Sequence, residues 1–167
     1  PSELFSYPDT SIFRSLSDDR IKADKPLARE LGCQVGDEWV QISGLRTLGE
    51  EGMPICLADV YVIPEYGSIA QRLGASSRPV YEMIAETFKE SIENITIRLT
   101  AGVLSDRKAA VLGVEPGSPS LSVSRFYEGR GGRIFEVSIS EHPASNFSYT
   151  FEFTRGWQTA DHWSWNN

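Results

Sequence analysis

Residues 110–143 read AVLGVEPGSPSLSVSRFYEGRGGRIFEVSISEHP: a helix end, a glycine turn, a strand, a glycine-rich hairpin and a second strand. Residues 28–64, ARELGCQVGDEWVQISGLRTLGEEGMPICLADVYVIP, repeat the same order. Leu31-Gly32 answers Leu112-Gly113, Gly36 answers Gly117, and Arg46 answers Arg125. A proline stands 18 residues after each arginine, at Pro64 and Pro143. Two copies of a unit are too few for a solenoid. They predict two hairpins in one antiparallel sheet.

Strand parity gives the unit its chemistry, because alternate residues of a strand face opposite sides of a sheet. Leu121, Val123, Arg125 and Tyr127 share one face, while Ser120, Ser122 and Ser124 share the other. In the first copy Val40, Ile42 and Arg46 share a face. Each arginine thus closes an apolar row on the side that ought to be covered. A covered charge needs a partner. Either an internal carboxylate, Asp59 or Glu136, or a bound anion would serve, since the guanidinium fork matches carboxylate and phosphate alike.

The chain has 167 residues and a formal net charge of −7. That length suffices for one domain with a sizeable core. The acidic balance argues against nucleic-acid binding by these residues alone. No apolar run reaches bilayer length, so no membrane partner is expected. Cys33 and Cys56 are too few for a disulfide framework or a zinc site, and a reducing cytoplasm fits. His142 and His162 with scattered acids make no recognisable metal site, and no cofactor motif is present. Gly129-Arg130-Gly131-Gly132 lacks dinucleotide-binding spacing and reads as a hairpin turn.

In chain order, residues 1–25 read as a lead-in segment, with Ser17-Asp18-Asp19 opening a short helix or closing a turn. A helix is predicted at 24–32, with Asp24 as N-cap and Gly32 as stop. Strands follow at about 38–48 and 54–63, the second apolar on both faces and therefore covered on both. Helices are expected at 65–73 and 79–90, the latter with Val80, Met83, Ile84 and Phe88 as its apolar stripe. Strict alternation at 94–103 predicts a half-buried strand, with Arg98 on its polar side. A short helix from Ser105 to Leu112 leads into the second unit. Glu136, Ser138 and Ser140 share a face there, opposite Phe135, Val137 and Ile139: either a wet sheet face or the lining of a pocket. A last strand is expected at about 147–154, with Tyr149 more often core than site at such a position. Residues 155–167 form a Trp-rich tail. The sum is an α+β domain over 26–154, about six antiparallel strands flanked by helices.

The ordered set Leu31-Gly32, Gly36, Arg46, Gly52-Met53-Pro54-Ile55, Asp59, Tyr61, Pro64, then Leu112-Gly113, Gly117, Arg125, Gly132, Glu136, Ser138 and Tyr149-Thr150-Phe151 resembles the UTRA effector-binding domain of GntR-type transcription regulators of the HutC group. The resemblance spans about residues 26–154. It implies a chorismate-lyase-like fold, a small-molecule effector, a homodimer and a winged helix-turn-helix DNA-binding domain upstream. It implies ligand contacts from Arg46, Asp59, Arg125, Glu136, Ser138 and Tyr149, and further from Arg98 and Tyr127. Where the family commonly has an Asp-Arg pair before the final strand, this chain has Ser145-Asn146. The alternative that the fold carries is a chorismate-lyase-like enzyme acting on a small carboxylic acid. No nucleophile or general acid–base pair stands out to favour it, so no enzyme is expected.

Overall fold

The computed structural model describes residues 11–48 and 52–149. Among these residues seven strands form one antiparallel sheet in the order β4-β1-β2-β3-β7-β6-β5. They are β1 Ser11–Lys22, β2 Glu38–Leu48, β3 Pro54–Val62, β4 Ala75–Ser76, β5 Asn94–Val103, β6 Pro119–Glu128 and β7 Ile134–Pro143. The helices are α1 Lys25–Leu31, α2 Ala70–Leu73, α3 Val80–Phe88 and α4 Asp106–Leu112, with a 3₁₀ turn at Pro64–Ile69 leading into α2.

The repeated unit is real and folds alike twice. α1 begins at Asp24, whose side chain accepts from Leu27 N at 2.9 Å, and stops at Gly32 with φ 69°. α4 begins at Ser105, whose hydroxyl accepts from Lys108 N at 3.5 Å, and stops at Gly113, also with φ 69°. Such left-handed caps favour glycine, which has no Cβ to clash. The two hairpins, β2-β3 and β6-β7, meet along β3 and β7, so the strand order reads outward from the middle in mirror fashion. The equal arginine-to-proline spacing does not carry into the pairing. Arg46 lies opposite Cys56, whereas Arg125 lies opposite Ser138, because the second hairpin is longer.

Each face of the sheet is covered by different elements. Val40, Ile42, Ala58, Val60, Val62 and Tyr127 face the 3₁₀ turn, α2 and α3, where Ile69, Leu73, Val80 and Ile84 complete the largest core cluster. On the other side Trp39, Tyr61, Phe126 and Val137 pack with Ala28 and Leu31 of α1. Leu45 and Leu57 meet Leu104 and, on α4, Ala109 and Leu112. β3 is therefore covered on both faces, as its two-sided apolar pattern requires.

Several expectations need correction. Residues 11–22 form a full strand, β1, along β2, where the sequence read as lead-in; Ser17, Asp18 and Asp19 lie within it and make neither helix nor turn. Of the six strands expected, five are present, and β1 and β4 add two. Residues 147–149 are not in a strand, and the rest of the strand expected at 147–154, like the tail at 155–167, lies outside the described residues. β5 is not half-buried: nine of its ten residues are exposed, because it is an edge strand that no helix covers among the described residues. A register shift between Tyr127 and Glu128 admits one extra residue in β7. That bulge lets Phe135 join the core cluster of Tyr127 and Val62, where parity had set it against Glu136.

Candidate functional site

Parity on adjacent strands gathers the polar residues. Arg125 faces Ser138 across β6 and β7, and Tyr127 faces Glu136. Ser138 in turn faces Val60 of β3. All four polar side chains lie on the face covered by α2 and α3, and all are buried. Sheet alternation thus turns a polar row on β7 into a strip of hydrogen-bonding groups beneath a helical cover, as a pocket lining requires.

Glu136 is the least common element of this strip. It is 2% exposed, and its Oε2 has no hydrogen-bond partner. Burial pushes its carboxyl well above the usual carboxylate range, and the nearby Arg125 only partly offsets this. Tyr127 stacks on Tyr81 of α3 with ring centroids 4.4 Å apart. Its phenol is held well above its ordinary value, first by burial and then by Glu136. Burial likewise raises Tyr81, to about 12. The guanidinium of Arg125 donates through Nη2 to the Tyr149 hydroxyl at 2.6 Å. This anchors the segment after β7 against the strip.

Arg46 occupies the same face on β2, with β7 and β3 lying between it and Arg125 on β6. It is 8% exposed, donates through Nη1 to Ser11 Oγ at 3.0 Å, and its guanidinium carbon lies 5.8 Å from the Phe13 ring centroid. His142 of β7 sits between the two arginines in their combined field. It is fully buried, stacks on Phe147 at 3.7 Å, and its Nδ1 lies 3.2 Å from the Leu121 carbonyl oxygen. A carbonyl only accepts, so Nδ1 carries the proton. Burial lowers the imidazole to about 4, and the charges of Arg125 and Arg46 act in the same direction. The ring is therefore neutral at physiological pH.

Of the eight residues singled out in the sequence, Arg125, Tyr127, Glu136, Ser138 and Tyr149 are brought together, and Arg46 shares their face. Asp59 and Arg98 do not. Asp59 points to the opposite face, where its Oδ1 accepts from the Ser43 hydroxyl and from Gln41 Nε2 at 3.2 Å. It is therefore not the internal partner of either arginine, because its parity follows Leu57 and Tyr61. Arg98 is exposed on that same far face, 4.8 Å from the Phe126 ring centroid. Sequence reasoning missed His142 and Tyr81. One further step of the alternation Glu136, Ser138, Ser140 reaches His142; nothing local signals Tyr81, which arrives on a helix. Among the described residues no cluster of His, Cys, Asp and Glu has the geometry of a metal site. No helix among them is long and apolar enough to cross a membrane.

Comparison with known proteins bears on the fold and the family. The model of the UTRA domain matches residues 9–148. The fold is similar to the ligand-binding domain assigned to a GntR-family transcriptional regulator of Bordetella bronchiseptica, with TM-score 0.70 and 25% identity over 86% of this chain and 91% of that one. It is also similar to the effector domain of PhnF from Mycobacterium smegmatis, with TM-score 0.71 and 16% identity over 86% of this chain and 87% of that one. Against a longer PhnF chain from the same organism the TM-score is 0.72 at 16% identity over 87% of this chain, which spans 63% of that one. No match was found among curated proteins. The α+β, chorismate-lyase-like sheet and the family match together establish that this chain belongs to the UTRA domain family, the effector-binding domains of GntR-family transcriptional regulators.

Proposed function

We propose that this domain is the effector sensor of a cytoplasmic, HutC-group regulator, and that it binds a small anionic or polar metabolite on the α3-covered face. Arg125 receives the anionic group, while Glu136, Tyr127, Ser138 and Tyr149 take the polar remainder. Arg46 sets the far limit of the site. The domain at 26–154, extended by β1, acts as a homodimer and transmits occupancy to a winged helix-turn-helix domain upstream, through which DNA is bound. Occupancy switches the regulator only if the effector binds its two states unequally.

The observation that carries this reading is the buried, unpartnered Oε2 of Glu136 beside Arg125. A buried polar atom without a partner is costly in a domain built for stability alone. It is accounted for when a ligand supplies the missing partner. The test is a thermal-shift panel of amino acids, carboxylic acids and sugar phosphates on the wild type, Arg125→Lys and Arg125→Ala. An effector at about a hundred times its dissociation constant adds about 2.7 kcal/mol. That is a rise of roughly 5–10 °C for a domain of this size. The expected result is a hit that weakens in Arg125→Lys, which keeps the charge and loses the fork, and vanishes in Arg125→Ala. A hit that both variants retain in full overturns the assignment of the site.

A further inference from the structure

Glu136 stands apart from the rest of the buried strip by charge. Among the described residues it is the sole acid of the buried polar set, whose other members are serines, Thr47, His142 and the two arginines. Ser138, Tyr127 and Tyr149 already bring hydroxyl groups to the strip. One more neutral hydrogen-bonding group would cost less to bury than an acid does. What the acid adds is a negative charge for a ligand to meet. Its Oε2 is buried with no hydrogen-bond partner, so that acceptor is open to a donor.

The neighbouring cation fixes what the donor carries. Arg125 lies opposite Ser138, two residues from Glu136 along β7. Such diagonal neighbours on one sheet face are about 7–8 Å apart. Arg125 is also the group that partly offsets the charge of Glu136. An anion seated on Arg125 cancels that offset and sets a second negative charge beside the acid. An ammonium group on the same ligand restores the balance, in a buried site where unpaired charge is costly.

We propose that the effector is a zwitterion, a short molecule whose anionic end lies on the Arg125 fork and whose primary ammonium donates to Oε2 of Glu136. This rests on the effector site of the proposed function and names the class of molecule that the site takes. The surroundings of Glu136 give the pairing a signature. The titratable groups beside it are Arg125 and Tyr127 of β6 and Tyr81 of α3, whose hydroxyl donates to Glu82 Oε1 at 3.2 Å. β3 sets Val62 opposite. With the site empty, burial holds the Glu136 carboxyl well above the usual carboxylate range. An ammonium beside it lowers that value again. Binding of the zwitterion therefore expels the carboxyl proton to solvent, and affinity rises with pH below the empty-site value.

The test uses matched probes that differ only in the amine: β-alanine, γ-aminobutyrate and O-phosphoethanolamine against propionate, butyrate and ethyl phosphate. In titration calorimetry on the wild type, at least one amine-bearing probe is expected to bind at least about tenfold more tightly than its amine-free partner. Its heat is expected to differ between PIPES and Tris buffers by the ionisation heat of the released proton, and that of the amine-free partner is not. Glu136→Gln keeps the shape without the charge, and is expected to bring both members of the pair to one affinity. Arg125→Ala is expected to weaken both. An amine-free probe as tight as its partner, a preference that survives in Glu136→Gln, or silence from all three amine-bearing probes overturns the zwitterion. If anions still depend on Arg125 in that case, the effector site stands and only the ammonium is struck. Binding that Arg125→Ala leaves unchanged overturns the site and the zwitterion together.

Discussion

Arg125 and Glu136 lie on neighbouring strands of the same buried face, one pair out of step: Arg125 is opposite Ser138, and Glu136 is opposite Tyr127. The guanidinium therefore influences the carboxyl without closing a direct pair through Oε2, which has no partner. Truncating Arg125 to Ala removes the cation from beside a buried acid and the donor from Tyr149. Loss of one member of a buried polar set costs about 3 kcal/mol. Denaturant unfolding of Arg125→Ala against wild type measures this; a change below about 0.5 kcal/mol would show that the arginine is structurally idle.

Glu136→Gln is expected to behave in the opposite way in the absence of effector. The folded-state affinity of Glu136 for protons is raised by burial. Folding therefore favours the protonated form, and wild-type stability falls as pH rises above the unfolded carboxyl value. Gln does not ionise, so the variant gains on the wild type as pH rises. Melting curves at acid and at mildly alkaline pH check this: the variant's advantage grows toward alkaline pH, while its response to effector is lost.

His142 gives the acid limb. Its folded value of about 4 lies below the ordinary 6.5 because burial and two arginines oppose its charge. A depressed value means stability that is present above the unfolded value and lost as pH falls through the window from 6.5 to 4. The loss amounts to about 3 kcal/mol. A His142→Gln variant should show a correspondingly flatter stability profile between those limits, measured by urea unfolding at fixed pH steps.

Gly44 sits where β1 and β2 approach closely. A Cβ built there would collide with the Phe13 ring and the Arg14 carbonyl oxygen. Gly44→Ala must displace the Phe13 ring, which borders the guanidinium of Arg46. Overpacking of this kind costs about 1–3 kcal/mol, read as a lower melting temperature. Effector affinity should also weaken if Arg46 bounds the site.

Asp59 supplies the negative control. It lies on the far face and is engaged by Ser43 and Gln41. Asp59→Asn is expected to lower stability by about 1 kcal/mol and to leave the effector-induced thermal shift intact. A lost shift with retained folding would place the effector on the α1 and α4 side of the sheet.

What the sequence determined by itself was local and periodic. The twofold repetition of capped helix, turn and hairpin was legible because Asp24, Gly32, Ser105 and Gly113 act within a few residues of themselves. The faces of Arg125, Glu136 and Ser138 followed from the period of two, which any strand imposes on its own side chains. Tertiary structure decided what that period cannot encode. The bulge at Phe135 depends on the partner strand's register. Tyr81 reaches Tyr127 only because α3 crosses the sheet there. Asp59 is separated from the arginines by the thickness of the sheet, although all three belong to the repeated units. β1 is a strand because β2 offers it an edge, since much of its own pattern is polar and turn-like. β5 shows the limit most plainly. Its alternation predicts one covered face, yet among the described residues it stands exposed on both, because burial is set by neighbours in space and not by the order of side chains along a strand.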